Sequence, residues 1–253
     1  MFSYETTVSY SRTDRNGKVP MHEILNLLQD CSTFHSEDIG HGVSYMKREA
    51  RAWVLVAYKV IVNRPIMFGQ KITIGTSPSK FSSMFASRQY FIKDENGDYL
   101  VQADSLWVLI DIQTRKPLRI TEEDSSVYKP EPIFDNIKAS RKIRFSSERT
   151  KLESFKVLKT YIDSNGHMNN ANYLRAAEEF LPTNFPCHEV DIVYNKEAME
   201  GEIITPYLYS EENGIGISFE NQSYKNNAYV MIKEVMALKS DLFFIKVLIS
   251  GKL

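Results

Sequence analysis

The sequence predicts an α+β protein made of two tandem copies of one unit, each a long helix wrapped by an antiparallel sheet. Three observations predict it. Two short patterns recur in the same order in both halves, a helical stripe follows the first of them, and runs of β-branched and aromatic residues divided by turn residues come next. Asp14-Arg15-Asn16-Gly17-Lys18-Val19 lies over Asp163-Ser164-Asn165-Gly166-His167-Met168 at a shift of 149. Asn63-Arg64-Pro65-Ile66-Met67-Phe68-Gly69 lies over Asn195-Lys196-Glu197-Ala198-Met199-Glu200-Gly201 at a shift of 132. The shift drops by 17, which places a longer connection in the first copy, around Glu37 to Ala50.

In the first copy, Tyr4–Arg12 reads as a strand. Met21, Ile24, Leu28, Cys31 and Phe34 then recur at spacings of three and four, the period of a helix with one buried face. Arg51–Asn63, Gln70–Ser77, Ser82–Lys93 and Tyr99–Asp111 are rich in Val, Ile, Tyr, Phe and Trp, and Asp94-Glu95-Asn96-Gly97-Asp98 makes a hairpin of the last two. The second copy repeats the order with a strand at Leu152–Leu158 and a helix from about Asn170 to Phe180, stopped by Pro182. Strands follow at Glu189–Lys196, Glu202–Ser210, Gly214–Tyr224 and Ala228–Leu238, with an additional one at Phe243–Ile249. A helix whose apolar stripe is covered by such a sheet is the hotdog arrangement, and two in tandem make a double hotdog. The boundaries expected are 1–116 for the first hotdog, 117–150 for a linker carrying Pro117, Pro130 and Pro132, and 151–253 for the second.

Composition excludes other classes. A chain of 253 residues, 43% hydrophobic and 25% charged, has the makeup of a folded globular protein. With 31 Lys+Arg against 32 Asp+Glu it has no global field for nucleic acid. No window approaches a membrane-spanning apolar run. No targeting peptide is expected, since Met1-Phe2-Ser3-Tyr4-Glu5 has no basic region followed by an apolar run, and 2 cysteines make no disulfide framework, so a reducing, cytoplasmic setting is expected. Lys138, Arg141, Lys142, Arg144, Arg149 and Lys151 face only Glu148 as an acid. That run reads either as a solvated linker face or as a docking surface for an acidic carrier.

The densest polar cluster runs from Tyr161 to Tyr173. If extended, it puts Asp163, Asn165 and His167 on one side just ahead of a helix. Gly166 allows close backbone approach, and the unpaired N–H groups of the helix's first turn suit an oxyanion. The first copy keeps Asp14, Asn16 and Gly17 but has Lys18 in the histidine slot, and Pro65 where the second has Glu197. The turn is therefore structural and the histidine extra. One active site per chain is expected, leaving the first half free to wall a ligand pocket with Ile24, Leu27, Leu28, Cys31 and Trp53, although a plain core accounts for the same residues.

The run Asp163-x-Asn165-x-His167-x-Asn169-Asn170-x-x-Tyr173, followed by Tyr194-x-x-Glu197-x-x-x-Gly201, resembles the signature of the acyl-acyl-carrier-protein thioesterases. Leu27-Leu28-Gln29-Asp30, Trp53-Val54-Leu55, Ala103-Asp104-Ser105-Leu106-Trp107-Val108 and Thr114-Arg115-Lys116 are similar to the family's first domain. The resemblance extends from about Tyr4 to Leu248 and implies a double-hotdog hydrolase that releases fatty acid from acyl carrier protein. It implies Asp163, Asn165, His167 and Glu197 as the catalytic set. Plant members often carry Cys directly after that Glu, whereas this chain has Ala198, which leaves water activated by a general base rather than an acyl-cysteine. Either Glu197 or Asp163 serves as that base. Without the plant enzymes' plastid extension the chain looks like a bacterial member.

The partner implied is acyl carrier protein bearing a phosphopantetheine thioester, with no cofactor and no metal. No Gly-x-Ser-x-Gly, P-loop, Gly-x-Gly-x-x-Gly or His-Glu-x-x-His pattern occurs. Alternatives are an acyl-CoA thioesterase or dehydratase of the same fold and a non-catalytic acyl- or carrier-binding double hotdog. A homodimer stays open, since hotdog sheets often pair edge to edge but the tandem repeat already supplies an internal pair.

Overall fold

A computed structural model describes residues 1–183, 185–221 and 227–234. Its contacts divide the chain into two units, Met1–Arg141 and Lys142–Leu253. The first contains β1 (Phe2–Thr7), α1 (Met21–Asp38), α2 (Val43–Arg48), β2 (Arg51–Val62), β3 (Lys71–Phe81), β4 (Ala86–Lys93), β5 (Tyr99–Asp111) and α3 (Glu122–Ser126). Its sheet runs β1-β3-β4-β5-β2 with every neighbour antiparallel. α1 buries Met21, Ile24, Leu25, Leu27, Leu28 and Cys31, the expected stripe. Phe34 does not end it: the helical period carries the stripe from Cys31 to His35, which is buried, while Phe34 is exposed and meets Tyr4 edge-on at 5.5 Å. α1 stops in a left-handed cap, with Gly40 at φ 74°, its N–H on the Glu37 carbonyl and the His41 N–H on that of Ser36.

Three element boundaries differ from expectation for local reasons. β1 ends at Thr7 because Tyr10–Arg12 turns into a short 3-10 helix. β3 continues past Pro78 through a bulge to Phe81. β4 begins only at Ala86, because Ser82 and Phe85 close a turn through backbone and hydroxyl hydrogen bonds. The long connection of the first copy holds α2, whose Met46 packs with Trp53, Phe81, Trp107 and Leu118 around Ala86, Leu109 and Ile120.

The second unit contains β6 (Arg149–Lys151), β7 (Phe155–Lys156), α4 (Asn170–Glu178), β8 (Cys187–Tyr194), β9 (Ile203–Glu211), β10 (Gly214–Asn221) and β11 (Ala228–Glu234). Its strands run β8-β11-β10-β9-β6, and β7 also pairs with β9. Of the strand expected over Leu152–Leu158 only Phe155–Lys156 forms, as β7, and β6 lies just before it. α4 buries Ala171, Tyr173, Leu174 and Ala177. Tyr173 meets Phe219 of β10 at 5.6 Å. Each such fully buried apolar side chain contributes about 2 kcal/mol. The two units are a double hotdog. The strand expected at Phe243–Ile249 and the end of Ala228–Leu238 lie outside the described residues.

Within 117–150, Ile120, Tyr128 and Ile137 are buried. The Gln89 amide donates to the Phe134 carbonyl at 2.7 Å, so this stretch up to Arg141 packs on the first unit. Beyond it, Phe145 stacks on Tyr209 at 4.1 Å over Gly216, and the Glu211 carboxylate accepts from Ser146 and Ser147. Among the described residues no helix is long and apolar enough to cross a membrane.

Hydrogen bonds reproduce the repeat with the shifts read from the sequence. Val19 donates to the Ile66 carbonyl at 2.9 Å and Met168 to that of Ala198 at 2.8 Å. Gly69 donates to Val8 and Gly201 to Val157, at 3.0 and 2.9 Å. A 3-10 turn precedes each Asp-x-Asn-Gly turn, at Tyr10–Arg12 and Lys159–Tyr161.

Candidate active site

The segment from Asp163 to His167 is a closed turn, not the extended run considered from the sequence. The Asp163 N–H donates to the His167 carbonyl at 2.9 Å and the Gly166 N–H to the Asp163 carbonyl at 3.0 Å. Ile162 and Met168 bridge across its base. Gly166 sits at φ 83°, in the left-handed region that favours glycine. The Asp163 carboxylate accepts the Asn165 backbone N–H at 2.8 Å, as Asp14 does for Asn16 at 2.8 Å. Asp163 thereby holds the turn in shape. Gly17 has the matching φ of 72°.

Immediately after the turn, the Asn169 side chain caps α4 by accepting from Ala171 at 2.8 Å. Asn172 donates through its side chain to the Tyr161 carbonyl at 3.0 Å, tying helix to turn. Tyr194 donates to the Asn170 carbonyl at 3.1 Å, and its ring meets Tyr173 edge-on at 5.9 Å. Burial pushes both tyrosine hydroxyls up from the ordinary phenol range, so they stay neutral. These two members of the sequence signature brace the start of the helix.

Glu197 arrives on the loop after β8. The Met168–Ala198 hydrogen bond sets that loop beside the turn, and His167 Nε2 lies 3.2 Å from Glu197 Oε2. The imidazole side chain is 17% exposed and the carboxylate 37%, so the pair is partly exposed to solvent. The Asn165 side chain is exposed on the same turn and makes no hydrogen bond among the described residues. The structure therefore brings His167 and Glu197 into contact, carries Asn165 on the same turn as His167, and engages the Asp163 carboxylate with the Asn165 N–H. In the first unit Lys18 and Pro65 hold the corresponding positions, so no carboxylate–imidazole pair forms there.

One nearby residue was not legible from the sequence: Asn227, fully buried at the head of β11, whose side chain points to the Glu197 carbonyl. It lies far along the chain from both patterns, and only the register of β11 brings it near. Among the described residues no three His, Cys, Asp or Glu side chains gather as a metal-holding group. Ile24, Leu27, Leu28 and Cys31 are all buried, Cys31 against the Ile74 carbonyl at 3.7 Å. Trp53 donates to the Tyr128 hydroxyl at 3.0 Å.

Both units are similar to known proteins. Residues 1–128 match the acyl-ACP thioesterase N-terminal domain and residues 145–235 the acyl-ACP thioesterase C-terminal domain. Oleoyl-acyl carrier protein thioesterase 2 of Arabidopsis thaliana is 22% identical over 231 residues, 83% of this chain and 61% of that protein. A palmitoyl-acyl carrier protein thioesterase of Cuphea hookeriana is 24% identical over 79% of this chain and 52% of its own length. The chain thus spans roughly half to three fifths of these plant relatives. Among solved structures, an acyl-ACP thioesterase from Bacteroides thetaiotaomicron superposes with a TM-score of 0.84 at 20% identity, covering 92% of this chain and 96% of that one. The 12:0-ACP thioesterase from Umbellularia californica gives 0.79 at 16% identity with the same coverage. The two domain matches lie in the expected order over most of the sequence, and the chain belongs to the acyl-ACP thioesterase family.

Proposed function

We propose that this chain hydrolyses the thioester of a fatty acyl-acyl carrier protein, releasing free fatty acid and the carrier's phosphopantetheine thiol. The observation that carries the reading is the 3.2 Å His167–Glu197 contact, present at the turn of one copy and replaced by Lys18 and Pro65 in the other. A thiol leaving group has a pKa of about 8.5, so cleavage needs little acid assistance. The work left is to activate water and to stabilise the oxyanion. Glu197, with His167, positions and deprotonates the water. The Asn165 amide and the positive dipole end of α4, whose Ala171 N–H is itself capped by Asn169, polarise the carbonyl, and Asp163 keeps Asn165 in place through its backbone N–H.

The first unit, without a carboxylate–imidazole pair, is assigned to the acyl chain. The exposed run Lys138, Arg141, Lys142, Arg144 and Lys151 supplies positive charge suited to an acidic carrier, while Arg149 is engaged by Glu220 at 2.8 Å. Cys31 and Cys187 form no disulfide among the described residues, in keeping with a cytoplasmic enzyme.

The test is thiol release from a panel of acyl-carrier-protein and matching acyl-CoA thioesters, with H167A beside the unaltered chain. Release that favours the carrier-protein esters and is lost in H167A supports the proposal. Equal use of both ester classes would make the chain an acyl-CoA hydrolase as well. Silence from both proteins, with carrier still bound, would replace catalysis by binding.

A further inference from the structure

Glu197, opposite Pro65, is not the only position at which the second copy has a polar residue where the first has an apolar one. In the first unit the Leu100 carbonyl accepts the N–H groups of Asn63 and Arg64 at 2.9 and 3.4 Å. In the second, the Asn227 carbonyl accepts those of Asn195 and Lys196 at 2.9 and 3.1 Å. Leu100 and Asn227 are therefore structural counterparts, each steadying the loop that leads to Pro65 or to Glu197. Both side chains are buried, 1% and 0% exposed, but one is aliphatic and the other an amide.

A buried amide in a leucine's place is unfavourable unless its polar atoms are used. Asn227 Nδ2 donates to the Glu197 carbonyl, a long hydrogen bond of 3.4 Å. Its Oδ1 is buried without a partner among the described residues. Backbone and side chain together thus grip three successive residues, Asn195, Lys196 and Glu197. The first copy needs no such grip, because the Pro65 ring fixes its own φ. A copy that must carry a carboxylate there cannot keep the proline, and the stiffness lost with the ring has to come from elsewhere.

We infer that Asn227 is a positioning residue, fixing the Glu197 backbone so that its carboxylate stays at His167. It touches no reacting atom and acts only through Glu197. The kinetic part of its test rests on the hydrolytic reading above; the structural part does not.

The variant is N227L, which installs the first copy's residue, examined alone and in an E197Q background. Hydrogen exchange over 195–201, followed by mass spectrometry, should accelerate while the body of β8 is unchanged. With acyl-carrier-protein substrate, kcat should fall about tenfold with KM within about twofold. E197Q/N227L should be no slower than E197Q, since a residue acting through Glu197 has nothing left to lose. Unchanged exchange, or a loss that multiplies that of E197Q, would overturn the inference. If the unaltered chain hydrolyses nothing while exchange in N227L still rises, the hydrolytic reading fails and the positioning role stands. Should N227L not be folded at the assay temperature, N227S, smaller and still polar, takes its place in both arms with the same criteria.

Discussion

The Met168 amide donates to the Ala198 carbonyl at 2.8 Å, and the residue before each of these two is His167 and Glu197. One backbone hydrogen bond therefore places the imidazole and the carboxylate side by side. Its counterpart, Val19 to Ile66 at 2.9 Å, does the same for Lys18 and Pro65, which cannot form such a pair. The scaffold is common to both copies, and the chemistry differs by what is mounted on it.

Glu197 and Asp163 separate on this geometry. Glu197 contacts His167 and is partly open to solvent, whereas an oxygen of Asp163 is already engaged with the Asn165 N–H at 2.8 Å. E197Q should therefore lower kcat by about 10²–10⁴ with little change in melting temperature. D163N should lower stability as well as kcat, because it weakens the turn that carries Asn165 and His167. Thiol-release kinetics beside thermal melts check both, and equal mild losses of kcat would remove either carboxylate from the role of base.

The two turn glycines offer a cleaner division of structure from chemistry. Gly166 at φ 83° has open space where a Cβ would sit, and Gly17 at φ 72° has only the Phe68 Cβ, at 3.9 Å. Alanine at either should cost about 1–2 kcal/mol of backbone strain in urea unfolding. G166A should also lower kcat, and G17A should not. Loss of activity in both would mean that the first turn contributes to catalysis.

Much of this arrangement is visible in the sequence because the repeat is. The 149- and 132-residue shifts predict which residues face each other across the two loops, and the hydrogen bonds at Met168 and Gly201 obey them. The Asp-x-Asn-Gly turn is legible because its residues hydrogen-bond locally. Asn227 is not, since what makes it important is the pairing of β11 with β8, a long-range register that no local pattern encodes. Phe34 misled for a different reason: spacings of three and four alternate, and only the whole stripe tells whether Phe34 or His35 follows Cys31. The shift from one strand at Leu152–Leu158 to β6 before it and the short β7 within it depends on where each piece meets β9.

A route through an acyl-cysteine can be tested with thiol reagents. Ala198 stands after Glu197, and neither cysteine belongs to the turn or its loop. Burial pushes the Cys31 thiol up to about 12, so it stays protonated and unreactive in the folded chain. Ellman's reagent should therefore titrate no more than Cys187 in the native protein and both cysteines in urea. After iodoacetamide treatment of the native protein, hydrolysis of acyl-carrier-protein thioester should continue at close to its original rate. Abolition by alkylation would restore a cysteine to the mechanism.

Stability of the first unit should hide two opposing proton linkages. Burial, then the Arg88 guanidinium 2.9 Å from its Nδ1 and the N-terminal amine, bring His35 down from 6.5 to about 4, with Asp38 opposing and Tyr128 packed against the ring. Below pH 6.5 the unfolded chain takes a proton there that the folded one refuses, so stability is lost as pH falls toward 4. Asp104 works the other way. Burial raises it from 3.8 to about 7 against the Ala139 N–H at 2.7 Å, the Lys138 charge and the Ser105 N–H. The folded chain keeps that proton where the unfolded one has given it up, so stability is lost as pH rises from 3.8 toward 7. Each linkage is worth on the order of 3 kcal/mol, and between pH 4 and 6.5 they should largely cancel. D104N should leave a chain that weakens with acid, and H35Q one that weakens with base. Urea melts at pH 4.5, 5.5 and 6.5 read this directly, because both tryptophans, Trp53 and Trp107, lie in the first unit and their fluorescence reports it. Parallel pH curves for the two variants would show that His35 and Asp104 titrate alike in the folded and unfolded states.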